Sequence, residues 1–254
     1  MRRPIHTLML AAYAALMLLA SAGATAGSSV LIWPLDPTIE AGEKAEALWL
    51  ENVGNVPVTL QIRVFAWDQV DFKDRYSEQR VVVGTPPFTT IEPGKKQLVR
   101  LTLTAPVPAG EERAFRVIVD EIPSQAPVES SGLRFQMRYS LPLFVYGEGL
   151  WKKRQSRSAK VQAQPALSWK LVEDDGVRYL EVSNTGSGNA RLSQVRLVKG
   201  VDGASDAIDV ATGLLGYVLP GRVMRWPAPD GASQDHQFQV HLEANAPPLT
   251  LLRE

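Results

Sequence analysis

The chain has 254 residues, contains no cysteine, and carries 27 basic and 27 acidic side chains. The balanced charge argues against a nucleic-acid-binding domain, which is usually strongly basic. Without cysteine there is no disulfide and no thiol nucleophile, and the three histidines are few for a zinc site. The length suits one large or two ordinary domains, with a core that is large enough to be stable without disulfides.

Residues 1–26 have the features of a secretory signal peptide. Arg2 and Arg3 precede an apolar run over residues 8–20, and Ala24-Thr25-Ala26 fits the small-residue rule for cleavage. The run is too short for a membrane-spanning helix. We therefore expect an exported chain with 25 basic and 27 acidic side chains, a net charge of about −2, and no membrane anchor. The bacterial periplasm fits these features, with release from the cell as the alternative.

After residue 27, apolar and polar residues alternate over short segments, and no segment has a helical period over three turns. Such alternation predicts strands. Clusters rich in Asn, Asp and Gly separate these segments and predict turns. Clear alternation is found over residues 58–64, 99–103, 115–119, 180–182 and 238–242. Many short strands at this spacing predict an all-β protein built as a β-sandwich.

The segment Leu133–Tyr146 is the longest alternating run. Seven apolar side chains occupy every second position: Leu133, Phe135, Met137, Tyr139, Leu141, Leu143 and Val145. Pro142 lacks an N–H, which favours a sheet edge. A long apolar edge strand normally promotes aggregation, so its presence predicts pairing with another chain. The alternative is that the odd-numbered side chains face the core of their own domain.

A break between two domains is predicted near Gly147-Glu148-Gly149. The first domain then covers residues 27–147 and the second residues 148–254. A basic stretch over residues 151–157 follows the break. It fits a solvated linker leading into the next strand, or a contact with an anionic partner.

Several short segments stand in a characteristic order along the mature chain. They are Ala41-Gly42-Glu43-Lys44, Asn52, Pro57, Phe65-Ala66-Trp67, Thr85-Pro86-Pro87-Phe88, Ile91-Glu92-Pro93-Gly94, Asp120-Glu121-Ile122-Pro123 and, more loosely, Val218-Leu219-Pro220-Gly221 with Trp226. This order resembles that of the PapD-like periplasmic pilus chaperones. The residues Asp68-Gln69 and the stretches 76–79 and 139–144 resemble the archaic chaperone–usher class, which includes chaperones of spore-coat-type pili.

The resemblance implies two immunoglobulin-like β-sandwich domains joined at an angle. It also implies a chaperone that folds and caps pilus subunits by donor-strand complementation, without ATP, cofactor or metal, and delivers them to an outer-membrane usher. The chain is then not an enzyme. The donor-strand residues are expected to be Leu133, Phe135, Met137, Tyr139, Leu141 and Leu143.

Family members hold the C-terminal carboxylate of the subunit with two basic residues. The usual first-strand arginine and donor-strand lysine are missing here. If the strand over residues 115–121 forms a hairpin with the long strand, paired residue numbers sum to about 254. Arg116 then lies opposite Arg138, a repulsive pair that a carboxylate would relieve. The alternative is a solvated face on which each arginine pairs with an acid such as Glu121 or Asp120.

Three residues match a patch that regulates usher docking in relatives: Pro57, Pro87 and Ile122. Prolines at turns and edges also occur without such a role. An open strand edge would further allow self-association of the free chain.

Other classes fit the residues less well. A secreted fibre subunit or adhesive protein should have an alternating N-terminal extension, whereas residues 27–40 contain only a short apolar run broken by Pro34. A carbohydrate-binding module should group its tryptophans on one face, and the six here are scattered. Enzyme motifs such as Gly-x-Ser-x-Gly do not occur, and the mature chain retains only His236 and His241.

Overall fold

The computed structural model describes residues 29–123, 136–152, 161–199, 207–243 and 246–254. These residues form strands and no helix, and none of their elements could span a membrane as a helix. The strands are β1 (Val30–Trp33), β2 (Thr38–Ile39), β3 (Ala45–Asn52), β4 (Val58–Val70), β5 (Lys73–Ser77), β6 (Val82–Thr85), β7 (Phe88–Ile91), β8 (Lys96–Leu103), β9 (Glu112–Ile122), β10 (Arg138–Tyr146), β11 (Leu150–Trp151), β12 (Val161–Gln162), β13 (Leu167–Asp174), β14 (Val177–Asn184), β15 (Ala190–Val198), β16 (Ala207–Val218), β17 (Arg222–Pro227), β18 (Gln237–His241) and β19 (Leu249–Arg253). The prediction of an all-β protein is confirmed.

The N-terminal sandwich packs two sheets against each other. One sheet has the order β1-β3-β8-β6, and the other has the order β2-β10-β9-β4-β5 with β7 also paired to β4. Alternate residues of β3, β4 and β9 face the space between the sheets, as the period of two predicts. Leu48 and Leu50 of β3 are fully buried there with Leu60 of β4 and Val117 and Val119 of β9.

The C-terminal sandwich is formed by seven strands in the order β16-β15-β18-β19-β13-β14-β17. Its core is separate from the first, and its largest fully buried side chains are Trp169 and Phe238, whose ring centroids are 5.5 Å apart. The short pair β11–β12 lies between the two sandwiches in sequence. The boundary between residues 147 and 148 stays a prediction. The signal-peptide prediction lies outside the described residues.

Each sandwich has a buried asparagine at the end of a strand. The Asn52 amide nitrogen donates to the carbonyls of Val56 (2.8 Å) and Ile91 (2.9 Å), and its oxygen accepts from the Gly54 N–H. Asn184 makes the same kind of bonds, donating to a carbonyl four residues later and to a carbonyl of another strand. One side chain therefore closes a turn and ties it to a neighbouring strand, because it satisfies three backbone groups at once.

Replacing this asparagine should destabilise its domain. Asn52→Ala leaves three backbone partners of Asn52 unpaired, of which the Ile91 carbonyl is buried, so we expect the free energy of unfolding to fall by about 1–3 kcal/mol. Urea denaturation measures the change. Asn55→Ala, in the same turn but exposed, is the control and should change stability by less than about 0.5 kcal/mol. Equal effects of the two substitutions would contradict this account.

Candidate functional site

Strand β10 lies near the edge of its sheet. On one side it pairs with β9 over its whole length, from Arg138 to Tyr146. On its other side, within the described part of the chain, its only strand partner is the two-residue β2, at Phe144 and Val145. The backbone edge from Arg138 to Leu143 is thus open to pairing with an added strand.

Burial along β10 rises from its beginning to its end. Met137, just before the strand, is 44% exposed, and Tyr139 is half-buried against the N-terminal core. Leu141 and Leu143 are 7% and 0% exposed within that core. The interpretation of these two leucines as groove-filling residues is therefore corrected: they attach β10 to its own domain. Leu133 and Phe135 lie outside the described residues.

Tyr139 lies between the edges of the two N-terminal sheets. Burial raises the pKa of its hydroxyl, and the nearby backbone N–H of Val30 in β1 opposes that shift. Because β1 is the edge strand of the other sheet, the Tyr139 hydroxyl lies at the side of the sandwich where the β10 edge is open.

The predicted pairing of Arg116 with Arg138 is wrong. Arg138 lies opposite Asp120, and Arg116 lies opposite Pro142, four residues further along β10. The two carboxylate oxygens of Asp120 accept one hydrogen bond each, Oδ1 from Arg138 and Oδ2 from Arg63, both at 2.5 Å. Arg138 therefore takes the alternative role, an arginine paired with an acid on the outer face. A shift of four residues preserves the faces of both strands, so the alternation could not reveal it.

Arg116 lies at the junction of the two sandwiches, surrounded by aromatic rings. Its Cζ is 3.8 Å from the ring centroid of Trp67 and 5.4 Å from that of Tyr217 in the other sandwich. Its guanidinium also lies near the Tyr76 hydroxyl, where burial raises the pKa of the tyrosine and the positive charge of Arg116 opposes that shift. It forms no ion pair with any described carboxylate, and its Nε is buried without a partner. A half-buried cation with spare donors can bind an anion.

Residues of both sandwiches form an apolar cluster that fixes this junction. Trp67 packs on Phe144 at 5.9 Å and edge-on against Tyr217 at 5.3 Å, measured between ring centroids. The cluster members are Trp67, Phe144, Tyr146, Leu150, Ala163, Tyr217 and Leu219. Aromatic pairs of this geometry add to the stabilisation from apolar burial, so the angle between the sandwiches is held by packing.

Polar contacts around the cluster also cross the junction. The Gln69 side chain donates to the Tyr217 carbonyl (2.9 Å) and accepts from the Leu219 N–H (2.9 Å). Asp68 accepts two hydrogen bonds from Arg222, at 2.7 and 3.1 Å.

A third polar contact lies at Glu112, whose carboxylate accepts hydrogen bonds from the backbone and the side chain of Asn189 at 3.0 to 3.1 Å. Burial raises the pKa of Glu112, and the hydrogen bonds from Asn189 partly oppose it. The buried carboxylate thus depends on the other sandwich for its hydrogen bonds, which favours one relative placement of the two.

The three residues of the predicted usher patch lie at one end of the N-terminal sandwich. Pro57 immediately precedes β4, and Ile122 pairs with Thr59 near the start of that strand. Pro87 precedes β7, which pairs with the same part of β4. Pro57 and Pro87 are exposed and Ile122 is half-buried. The structure also places the exposed ring of Phe88 here, which the sequence analysis did not assign.

Several residues of the junction were missed by sequence reasoning, notably Gln69, Asp68 and Tyr217. Their roles depend on contacts between segments about 150 residues apart, which periodicity cannot detect. The two histidines serve local structure: His236 hydrogen bonds with Ser233, and His241 with the Ala246 carbonyl. Within the described ranges, no group of three His, Asp or Glu side chains is arranged to hold a metal ion.

Comparison with known proteins agrees with this geometry. A family model described as "Pili and flagellar-assembly chaperone, PapD N-terminal domain" matches residues 37–150. A solved chain from the CsuC–CsuE chaperone–tip adhesion subunit pre-assembly complex of the archaic chaperone–usher Csu pili of Acinetobacter baumannii is 32% identical, with a TM-score of 0.70, covering 89% of this chain and 99% of that chain. The comparison with curated proteins returned no match.

More distant structures share the fold. The CupB2 chaperone of Pseudomonas aeruginosa is 21% identical (TM-score 0.54; 87% of this chain and 97% of that chain). A chain of the Salmonella enterica SafA pilin–SafB chaperone complex is 20% identical (TM-score 0.59; 90% and 98%). Fold and coverage thus define a two-domain protein with immunoglobulin-like β-sandwiches of the pilus-chaperone type. The chain belongs to the PapD-like family of pilus-assembly chaperones.

The ion pairs of Asp120 with Arg138 and Arg63 should make the folding stability of the protein depend on pH. Burial opposes ionisation, but hydrogen bonds from Arg138 and Arg63 outweigh it and lower the pKa of Asp120. A lowered pKa in the folded state stabilises the protein above the unfolded-state pKa of about 3.9, and this contribution is lost as the pH falls through the folded-state value.

We therefore expect Asp120→Asn to reduce the free energy of unfolding at pH 7, and the difference from wild type to shrink as the pH falls toward about 3. Urea denaturation across this range measures it. Asp209→Asn breaks an exposed pair with Arg196 and should have little effect at any pH. A wild-type–Asp120→Asn difference that stays constant with pH would refute the assignment.

Proposed function

We propose that this protein is a periplasmic chaperone that folds, caps and delivers pilus subunits to an outer-membrane usher by donor-strand complementation, without ATP and without enzymatic activity. The observation that supports it most is the β10 edge, which is open among the described residues, together with Arg116 near its end, which forms no ion pair with a described carboxylate. The similarity to the A. baumannii chaperone–subunit complex favours the archaic class.

The open edge supplies the pairing surface. A strand of an incomplete subunit sandwich would hydrogen bond along residues 138–143, the mode known as β-augmentation. Met137 and Tyr139 would then fill the subunit groove together with Leu133 and Phe135. Each large apolar side chain that becomes fully buried contributes roughly 1.5–3 kcal/mol, so a few of them suffice to hold an unfolded partner.

Arg116 would bind the C-terminal carboxylate of the subunit. The residue lies opposite Pro142, near the end of the open edge, where a paired strand would terminate. Its ring contacts orient the guanidinium without neutralising its charge, in contrast to Arg138, which Asp120 neutralises. Arg138 is therefore dropped from the proposed anchor.

Pro57, Pro87 and Ile122, with Phe88 beside them, are the surface proposed for usher docking. Their common end of the sandwich and the exposure of both prolines support this role. The exposed β10 edge likewise supports self-association of the free chain. A fibre subunit, the alternative considered from sequence, would need an incomplete sandwich, whereas the C-terminal sandwich has seven paired strands.

Co-expression with candidate pilus subunits in a bacterial periplasm tests the proposal. We expect a one-to-one complex with at least one subunit encoded near this chain. Arg116→Gln should reduce its recovery by about tenfold or more, because charge-assisted hydrogen bonds to the carboxylate are lost. Arg113→Gln, on the same strand but paired with Glu111, is the control. Failure with every such subunit would contradict the chaperone function.

A second prediction concerns the exposed end of the strand. Met137→Asp should leave the free chaperone folded, since the side chain is 44% exposed, yet reduce subunit recovery because a charge would enter an apolar groove. Ser140→Asp introduces the same charge on the exposed outer face of β10 and should have a smaller effect. Recovery and circular dichroism of the purified variants are the readouts. If both variants retain full recovery, the groove-filling role of Met137 is wrong.

A further inference from the structure

We propose that Met137, just before β10, is a site of reversible oxidation at which a peroxide converts the thioether to a sulfoxide and so stops the free chain from accepting a subunit. The oxidation itself follows from exposure and from the chemistry of sulfur. Its effect on capture rests on the proposed function. Separate measurements follow the oxidation and the capture, so that each can fail without the other.

Sulfur is present at only two positions after residue 26. The sequence has no cysteine, and its only methionines beyond that point are Met137 and Met224. A reactive thiol, which in other proteins competes for oxidants, is therefore absent from this chain. The two thioethers are the only sulfur atoms that a peroxide can oxidise.

The two methionines differ in their exposure to solvent. The Met137 side chain is 44% exposed, whereas Met224 is 8% exposed and packs in the core of the C-terminal sandwich. A peroxide must contact the sulfur atom to oxidise it, so exposure determines which methionine reacts first. Met224 is therefore an internal reference for Met137 within the same molecule.

The backbone at Met137 is held in place beside β9. The Glu121 N–H donates to the Met137 carbonyl at 3.0 Å, and the Gln136 side chain donates to the Glu121 carbonyl at 2.8 Å. These bonds continue the ladder beyond the last strand pair, Arg138 with Asp120. Two residues along an extended chain share one side of it, so the Met137 side chain lies on the same side as that of Tyr139. The exposed thioether thus stands at the beginning of the open edge.

The oxidation balances with a peroxide as the oxidant. A lone pair on sulfur attacks one oxygen of hydrogen peroxide, the O–O bond breaks, and the proton of the attacked oxygen moves to the leaving oxygen, which departs as water. Sulfur loses two electrons and the peroxide gains them. Methionine sulfoxide reductase reverses the change with two thiols, which form a disulfide while the sulfoxide oxygen leaves as water. No other group of the chain has to take part.

The sulfoxide changes how Met137 can pack against a partner. An apolar side chain becomes a polar one, and burying a polar group without a hydrogen-bond partner is unfavourable. Under the proposed function, Met137 enters an apolar groove when a subunit is held. Oxidation of the free chain then prevents capture, whereas in a loaded complex the subunit covers the sulfur and protects it.

Peptide mass spectrometry after treatment with hydrogen peroxide tests the oxidation without any subunit. In the folded chain we expect Met137 to gain an oxygen atom at least about tenfold faster than Met224. In urea the two rates should become similar, because both side chains are then exposed. Equal rates in the folded chain, or a difference that persists unchanged in urea, would overturn the proposal.

The capture test compares each protein with its own untreated sample. The chain is treated, freed of peroxide and mixed with denatured subunit as the denaturant is diluted. Treatment should reduce recovery of the wild-type complex by about tenfold, and methionine sulfoxide reductase should restore it. Met224→Leu should respond to peroxide as the wild type does, whereas the recovery of Met137→Leu should be the same with and without treatment.

Two results would overturn the effect on capture. The first is an equal loss of recovery by treated Met137→Leu, and the second is oxidation of Met137 as fast in the preformed complex as in the free chain. If the untreated chain binds no subunit, the proposed function fails together with the effect on capture. The oxidation rates of Met137 and Met224 are measured without a subunit and stand or fall on their own.

Discussion

The stacking of Arg116 on Trp67 is the interaction on which the rest of the junction depends. A guanidinium group on an aromatic face gains about 0.5–2 kcal/mol, the upper part of this range when it is desolvated. That is enough to orient the side chain and too little to neutralise it. A carboxylate in the same place would bind the arginine more strongly and occupy the donors that a ligand needs. Because Arg116 is held by aromatic rings and not by a carboxylate, its positive charge stays available to a ligand.

This arrangement requires the two sandwiches to be held in one relative position. Trp67 belongs to the first sandwich and Tyr217 to the second, so any rotation between them would separate the rings around Arg116. The structure opposes rotation with an apolar cluster and with the hydrogen bonds of Gln69 and Glu112. Because both polar side chains are substantially buried, breaking their contacts would leave unsatisfied groups, which is more costly than losing the bonds alone.

Strand β10 has two parts with different roles. From Leu141 onward its inward side chains belong to the N-terminal core, whereas Met137 remains exposed. A long apolar edge strand is a hazard, and the buried part limits it by shortening the exposed portion.

Much of this fold was predictable from the alternation of apolar residues. A period of two identified the strands and their buried faces, because side-chain direction follows from local geometry. Pro142, which lacks an N–H, indicated that β10 lies near a sheet edge. The register between β9 and β10 was not predictable from the alternation, because an error of four residues leaves every face unchanged. The role of Arg116 as a carboxylate anchor stays a prediction, and its neighbours Trp67, Tyr217 and Gln69 could be identified only from how the domains meet. The asparagine-rich turns near Asn52 and Asn184 were visible in the sequence, but their equivalence appears only from their hydrogen bonds.

The two-residue strand β2 sets a limit on what can be added to the sheet. It pairs in parallel with Phe144 and Val145 and so occupies the β10 edge beyond Leu143. The free edge from Arg138 to Leu143 then accommodates about six residues, or roughly 20 Å of extended chain. A strand added parallel to β10 must stop where β2 begins, level with Pro142 and hence with Arg116 across the sheet. The position of β2 therefore fixes where the last residue of an added strand lies.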